Sequence, residues 1–214
     1  MLTLAVPKGR VLPEALNLLK QIGWPIPDDI TASRRLIFDL DNGQRLILAK
    51  PVDVPVYVQY GVADLGVVGK DVLLEERADV YELLDLGIGR CRLALAAPQA
   101  YVSHLKPNRE MLRVATKYPR LARQFFAERG EQVEIVALSG SIELAPLLGL
   151  AERIVDIVST GQTLRENGLV ELETISEITS RLIASRTGYR FKQDHILRLV
   201  HALEALQGGV RVDL

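Results

Sequence analysis

The chain has 214 residues, of which 48% are hydrophobic and 5% aromatic, and a formal charge of -1 at pH 7. That length supports one large core or two small ones, and the aliphatic bias fits an α/β protein. The near-neutral balance, without a clustered basic run, excludes a nucleic-acid platform, and the lone Cys91 excludes an internal disulfide or a cysteine metal cluster.

Cys91 is expected as a buried strand residue of a protein kept in a reducing compartment. The N-terminus MLTLAVPKGR enters a strand at once, without the basic segment and long apolar core of a signal peptide. No apolar run is long enough to span a bilayer, so a soluble cytoplasmic protein is expected, with no membrane partner.

LTLAV reads as a strand ending at Pro7-Lys8-Gly9-Arg10, followed by a helix through Leu16, Leu19 and Lys20 that Gly23 closes. Lys8 and Arg10 then stand at the carboxyl end of a strand, where open α/β sheets bind ligands. They are either solvated surface charges or phosphate ligands, and Arg34 and Arg35, just before the next strand, carry the same two readings. LIFDL and QRLILAK flank Asp41-Asn42-Gly43, a β-hairpin turn signal. Lys50 ends that hairpin, and Asp53 begins a helix, where its simplest role is an N-cap. ADLGVVG supplies a short buried strand with a helix through Val72 and Leu73 behind it, and another strand precedes Gly87-Ile88-Gly89.

From Cys91 the pattern restarts with RLALAA and RVAT as strands, a helix from about Pro119 to Arg129, and the strand VEIVAL. SIELAPLLGL reads as helical, and Glu143 within it is either a capping-box acid paired with Ser139 or a ligand-binding residue. A strand near Leu182 to Ser185 and a final helix near Ile196 to Leu206 complete the chain. The expected division is a discontinuous first α/β lobe, 1–89 plus 172–214, and a second lobe, 90–171, with a hinged cleft between them.

The most informative stretch is DIVSTGQTLRENGL, residues 156–169, where an apolar strand runs into a Thr-Gly-x-Thr turn that opens a helix. Ser159, Thr160 and Thr163 offer hydroxyls, Gly161 allows close backbone approach to an anion, and the first N–H groups of the helix complete a phosphate cradle. The same pattern also describes an ordinary turn with an N-cap. Asp156 favours the cradle, because a carboxylate in an apolar strand is costly unless it emerges at the strand end to bind something, such as ribose hydroxyls. His104, His195 and His201 lack metal-ligand spacing, so no resident metal site is expected. The absence of a GxSxG elbow and a Walker lysine motif points away from nucleophilic hydrolysis and ordinary ATP hydrolysis.

Several segments in order resemble the short-form ATP phosphoribosyltransferase family: PKGR, ASRRLIF, DVPVYV, GVADLGVVGKDVLLE, ATKYP, GSIELAP and DIVSTGQTLRENGL. The resemblance spans nearly the whole chain. It implies a two-lobed fold like that of periplasmic-binding proteins and a reaction in which adenine N1 of ATP displaces pyrophosphate from phosphoribosyl pyrophosphate, with Mg2+ carried by the substrates. By that likeness Asp156 faces the ribose hydroxyls, Ser159, Thr160, Gly161, Gln162 and Thr163 hold the 5′-phosphate, and Lys8, Arg10 and Glu143 line the same cleft. Arg34 matches an arginine that the family uses near the pyrophosphate and ATP phosphates.

Lys50 departs from the arginine common before the DVP segment, keeping the charge but losing the planar fork. Type I phosphoribosyltransferases have adjacent acids before the Thr-Gly turn, whereas here Ile154 and Val155 precede a single Asp156. An end at Leu214 leaves no room for the C-terminal regulatory domain of long forms. The likeness therefore implies a histidyl-tRNA-synthetase-like regulatory subunit as partner, and a homodimer within a hetero-oligomer. The competing reading is a binding or sensor module on the same two-lobed fold.

Overall fold

A computed structural model of the protein describes residues 1–102 and 111–207. The described chain divides into two compact units, Met1–Gly89 with the segment from Thr179 onward, and Arg90–Ile178. Among the described residues, no helix is long and apolar enough to cross a membrane. His104 lies outside the described residues.

The first unit contains β1 (Thr3–Pro7), α1 (Leu12–Gln21), β2 (Ile37–Asp39), β3 (Arg45–Ala49), a 3-10 turn (Pro51–Asp53), α2 (Val54–Gln59), β4 (Leu65–Gly69), α3 (Lys70–Glu76) and β5 (Tyr81–Asp85). After the second unit the chain returns to add β11 (Ser180–Ala184) and α8 (Arg186–Leu206). Its sheet has the order β2-β3-β1-β4-β11-β5, with β1 parallel to β3 and β4. Alternation along the strands separates two cores. Leu4, Val6, Leu46 and Leu48 face α1 and α8, while Ala5, Val68 and Ile183 face α2 and α3. Gly66 admits α2 to that second face, because a Cβ there would lie 2.7 Å from Val58 Cγ2 and 2.8 Å from Val54 Cγ1. The terminal helix buries Ile196, Leu199, Val200 and Leu203 in its own unit, which accounts for its broad apolar surface.

The second unit contains β6 (Cys91–Pro98), α4 (Gln99–Val102), β7 (Leu112–Thr116), α5 (Pro119–Glu128), β8 (Val133–Ala137), α6 (Leu144–Leu147), β9 (Arg153–Val158), α7 (Gln162–Glu166) and β10 (Leu169–Ile178). Its sheet has the order β10-β6-β9-β7-β8, with β7 parallel to β8 and β9. Leu93, Leu95, Val114 and Val155 pack under α5, and the smaller Ala94, Ala96 and Ala115 lie with Ile154 under α6 and α7.

Three features differ from the sequence-based expectation. The stretch expected to be helical from Ser141 to Leu150 narrows to α6, entered through Ser141 at φ 50. The sequence pattern does not announce β10, because its burial lacks clean alternation and its pairing with β6 carries register shifts. The return crossing falls at 178/179 rather than near 172, since β10 stays on β6 as far as the Ile178–Cys91 pair.

Candidate functional site

In the second unit β7, β8 and β9 are parallel, so the segments after Thr116, Ala137 and Val158 emerge at one end of the sheet. Thr116 closes its strand there by donating to the Val155 carbonyl at 2.6 Å and accepting from the Tyr118 N–H at 2.9 Å. Ile142 and Leu164 share one core cluster with Ile154 and Val158, which holds the Glu143 segment and the Ser159–Thr163 loop over the same face. Glu143 occupies the N-cap position of α6 without a side-chain cap hydrogen bond, so the capping-box alternative is not realised.

Asp156 lies inside β9, not at its end, and is half-buried. Its last neighbours on β7 are already passed, because that ladder stops at Thr116–Val155 while β6 continues from Asp156 to Val158. The side chain shares the face of Ile154 and Val158, and its directly opposed residue is the small Ala94. Oδ1 accepts from the Ile157 N–H at 2.8 Å.

Beyond Val158 the chain turns through Ser159 and Thr160, both exposed, into Gly161 at φ 74 and the short helix α7. Thr160 Oγ1 accepts from the Gln162 N–H at 3.3 Å, and the exposed Gln162 side chain donates to Glu166 at 2.7 Å. The Thr163 side chain is exposed, and its carbonyl accepts from the Asn167 side chain at 2.9 Å.

Two arginines that sequence reasoning passed over hold this turn. Arg92 on β6 donates through Nη1 to the Ser159 carbonyl at 3.2 Å, and Arg165 on α7 donates to the Thr160 carbonyl at 3.1 Å. Arg92 also forks onto Glu171 of β10, with Nε–Oε1 at 2.8 Å and Nη2–Oε2 at 2.5 Å. The hydrogen bond to Arg92 holds the Glu171 carboxyl below the usual glutamate range against partial burial, and Glu171 in turn raises Arg92. No local pattern announces a partner 79 positions away.

The first unit gathers its candidate cations in the same way. β1 and β3 are parallel, so Lys8 and Lys50 follow adjacent carboxyl ends, and the Lys8 N–H donates to the Ala49 carbonyl at 2.8 Å. β2 runs antiparallel to β3, which brings the exposed Arg34, ahead of β2, to that end too. Arg35 instead lies over Phe38, 5.3 Å from the ring centroid. Arg10 donates to the Gly89 carbonyl at 3.1 Å, and Glu14 accepts the Gly89 N–H, also at 3.1 Å. Asp53 sits at the N-cap of α2 but makes no side-chain cap hydrogen bond. Among the described residues, no group of three or more His, Cys, Asp or Glu side chains is arranged to hold a metal ion.

The comparisons with known proteins agree with this architecture. A model of the HisG family, ATP phosphoribosyltransferase, matches residues 50–205. An ATP phosphoribosyltransferase of Geobacillus kaustophilus is 58% identical over 208 residues, covering 96% of this chain and 98% of the relative. The solved ATP phosphoribosyl transferase (HisG:HisZ) complex of Thermotoga maritima contains a chain 32% identical, with a TM-score of 0.81 and coverage of 96% of this chain and 98% of that one. The periplasmic aliphatic sulphonate binding protein SsuA of Escherichia coli, 12% identical with a TM-score of 0.58 over 95% of this chain and 71% of its own, shares the fold alone. The chain therefore belongs to the ATP phosphoribosyltransferase family, enzymes that carry out the first step of histidine biosynthesis and act with metal ions.

Proposed function

We propose that this chain joins N1 of the adenine of ATP to C1 of the ribose of phosphoribosyl pyrophosphate, releasing pyrophosphate, and that the Ser159–Thr163 loop holds the 5′-phosphate. The observation that supports it most is the turn after β9, where Gly161 at φ 74 opens α7 and Asp156 lies just upstream on the face of that loop. Ser159, Thr160, Gly161, Gln162 and Thr163 contribute hydroxyl and backbone donors, and Asp156 accepts from the ribose hydroxyls.

Breaking the C1–O bond leaves positive charge on the sugar and transfers an electron pair to the departing pyrophosphate. Arg34 and Lys50 stabilise that leaving group, and Mg2+ arrives with the substrates. Adenine N1 attacks with its own lone pair, so no strong general base is required. Lys8, Arg10 and Glu143 complete the substrate contacts, Arg10 with part of its guanidinium committed to Gly89. Orientation of the two substrates supplies much of the remaining acceleration.

The protein works in the cytoplasm as a homodimer within a hetero-oligomer, with a histidyl-tRNA-synthetase-like subunit conferring histidine control. The Thermotoga maritima relative, solved as a HisG:HisZ complex, supports that partnership. The deciding assay mixes the chain, that partner, ATP, Mg2+ and phosphoribosyl pyrophosphate. Phosphoribosyl-ATP is expected, with Asp156→Ala weakening the pyrophosphate substrate while ATP affinity holds, and Arg34→Ala slowing the single-turnover chemical step. Absence of product with the partner present would favour a binding or sensor module instead.

A further inference from the structure

Arg92 and Arg165 hold two consecutive carbonyls of the phosphate loop, and this has a direct consequence for its N–H groups. In a trans peptide the carbonyl of one residue and the N–H of the next point in opposite directions, and the described chain has no cis peptide bond. With the Ser159 carbonyl turned to Arg92, the Thr160 N–H faces away from that arginine. With the Thr160 carbonyl turned to Arg165, the Gly161 N–H faces away from that one. Neither N–H donates to a protein acceptor among the described residues.

We propose that Arg92, braced by Glu171, is a positioning residue for phosphoribosyl pyrophosphate: it sets the 159–160 peptide so that the loop offers its N–H groups to the 5′-phosphate. The proposal rests on the phosphate-loop reading above. Arg92 suits the task because it starts on β6, an interior strand paired on both edges, opposite Val158, the last residue before the loop. Its fork is fixed by Glu171, itself accepting from the Thr174 hydroxyl at 2.8 Å. Ala94 and Ala96, two and four residues along the same strand, leave the guanidinium and carboxylate room to meet over that face. Arg165 holds the next carbonyl from an exposed site on a short helix, so Arg92 is the stronger anchor. A lysine in place of Arg92 has one point charge and cannot fork onto Glu171 while holding Ser159.

The test uses the full chain with its partner subunit and measures KM for each substrate alongside kcat. Arg92→Gln is expected to raise KM for phosphoribosyl pyrophosphate about tenfold, leaving KM for ATP within about twofold. Glu171→Gln should move the same parameter in the same direction by less, and the double variant should resemble Arg92→Gln alone, since Glu171 acts through Arg92. Arg92→Lys should recover only a fraction of the loss. Thr163→Val, inside the loop, separates the two readings. If it weakens phosphoribosyl pyrophosphate while Arg92→Gln changes only thermal stability, Arg92 is merely structural and the positioning role is overturned. If neither variant alters that substrate, the loop does not hold the phosphate and both readings fall. Equal effects of Arg92→Gln on the two substrates would also overturn it.

Discussion

Gly161 carries two constraints at once. Its φ of 74 suits a residue without a Cβ, and a Cβ built there would lie 3.1 Å from Arg165 Nη1, the atom that binds the Thr160 carbonyl. The left-handed conformation costs an L-residue about 1–2 kcal/mol, and relief of the contact shifts the arginine tip against the carbonyl that it holds. Gly161→Ala should therefore lower stability to denaturant by about 1 kcal/mol and also weaken phosphoribosyl pyrophosphate binding, read by calorimetry with ATP as control. Unchanged affinity beside reduced stability would show that the loop tolerates reorientation at this peptide. Asp156 illustrates a different economy, since its carboxylate accepts the next N–H and faces a small alanine in place of a bulky neighbour.

Among elements, the pair formed by β5 and β11 depends most visibly on charge. Burial pushes the Asp85 carboxyl up, but the Gly87 N–H, the Thr179 hydroxyl and the Arg181 guanidinium together outweigh it, so its pKa lies below the ordinary aspartate value. Gly87 and Thr179 both donate at 2.9 Å, and Arg181, inside β11, forms an ion pair with the same carboxylate. A depressed carboxylate pKa in the folded state stabilises above the unfolded value, and that contribution is lost as pH falls through the folded one. The melting temperature should thus fall below about pH 4, and Asp85→Asn should be less stable near neutrality with a shallower decline into acid. Parallel melting curves for the two proteins from neutral pH into acid would disprove the assignment. Gly89, the last residue of the first unit before the chain leaves it, is held by Arg10 and Glu14, so one residue proposed to contact substrate also fixes that exit.

At the scale of the molecule, the two units differ in how the chain makes them. The second is one continuous segment, Arg90–Ile178, whose ends meet as the Cys91–Ile178 pair, and it has cores on both faces of its sheet. The first is closed only when β11 inserts between β4 and β5. A fragment of residues 90–178 should therefore fold alone with a cooperative urea transition, whereas residues 1–89 should not, lacking β11 and the four buried side chains of α8. Circular dichroism through a urea titration distinguishes these outcomes, and a cooperative transition in the 1–89 fragment would show that β11 is dispensable.

Local pattern was enough for the strand–turn–helix at Gly161, the hairpin at Asp41-Asn42-Gly43, the restart at Cys91 and most of the helices. In each, periodicity and turn chemistry act over neighbouring residues. The same local reading lengthens α6 and misses β10, whose exposed middle becomes intelligible only beside β6. It proposed Asp156 for the site but expected it at a strand end, a position that depends on where the β7 ladder stops. Arg92 could not be found this way: its meaning lies in Glu171 and in the Ser159 carbonyl, 79 and 67 positions distant. Short-range sterics and hydrophobic periodicity are written into consecutive residues, whereas strand register, and with it the partner of each charged side chain, is set only when distant segments pack.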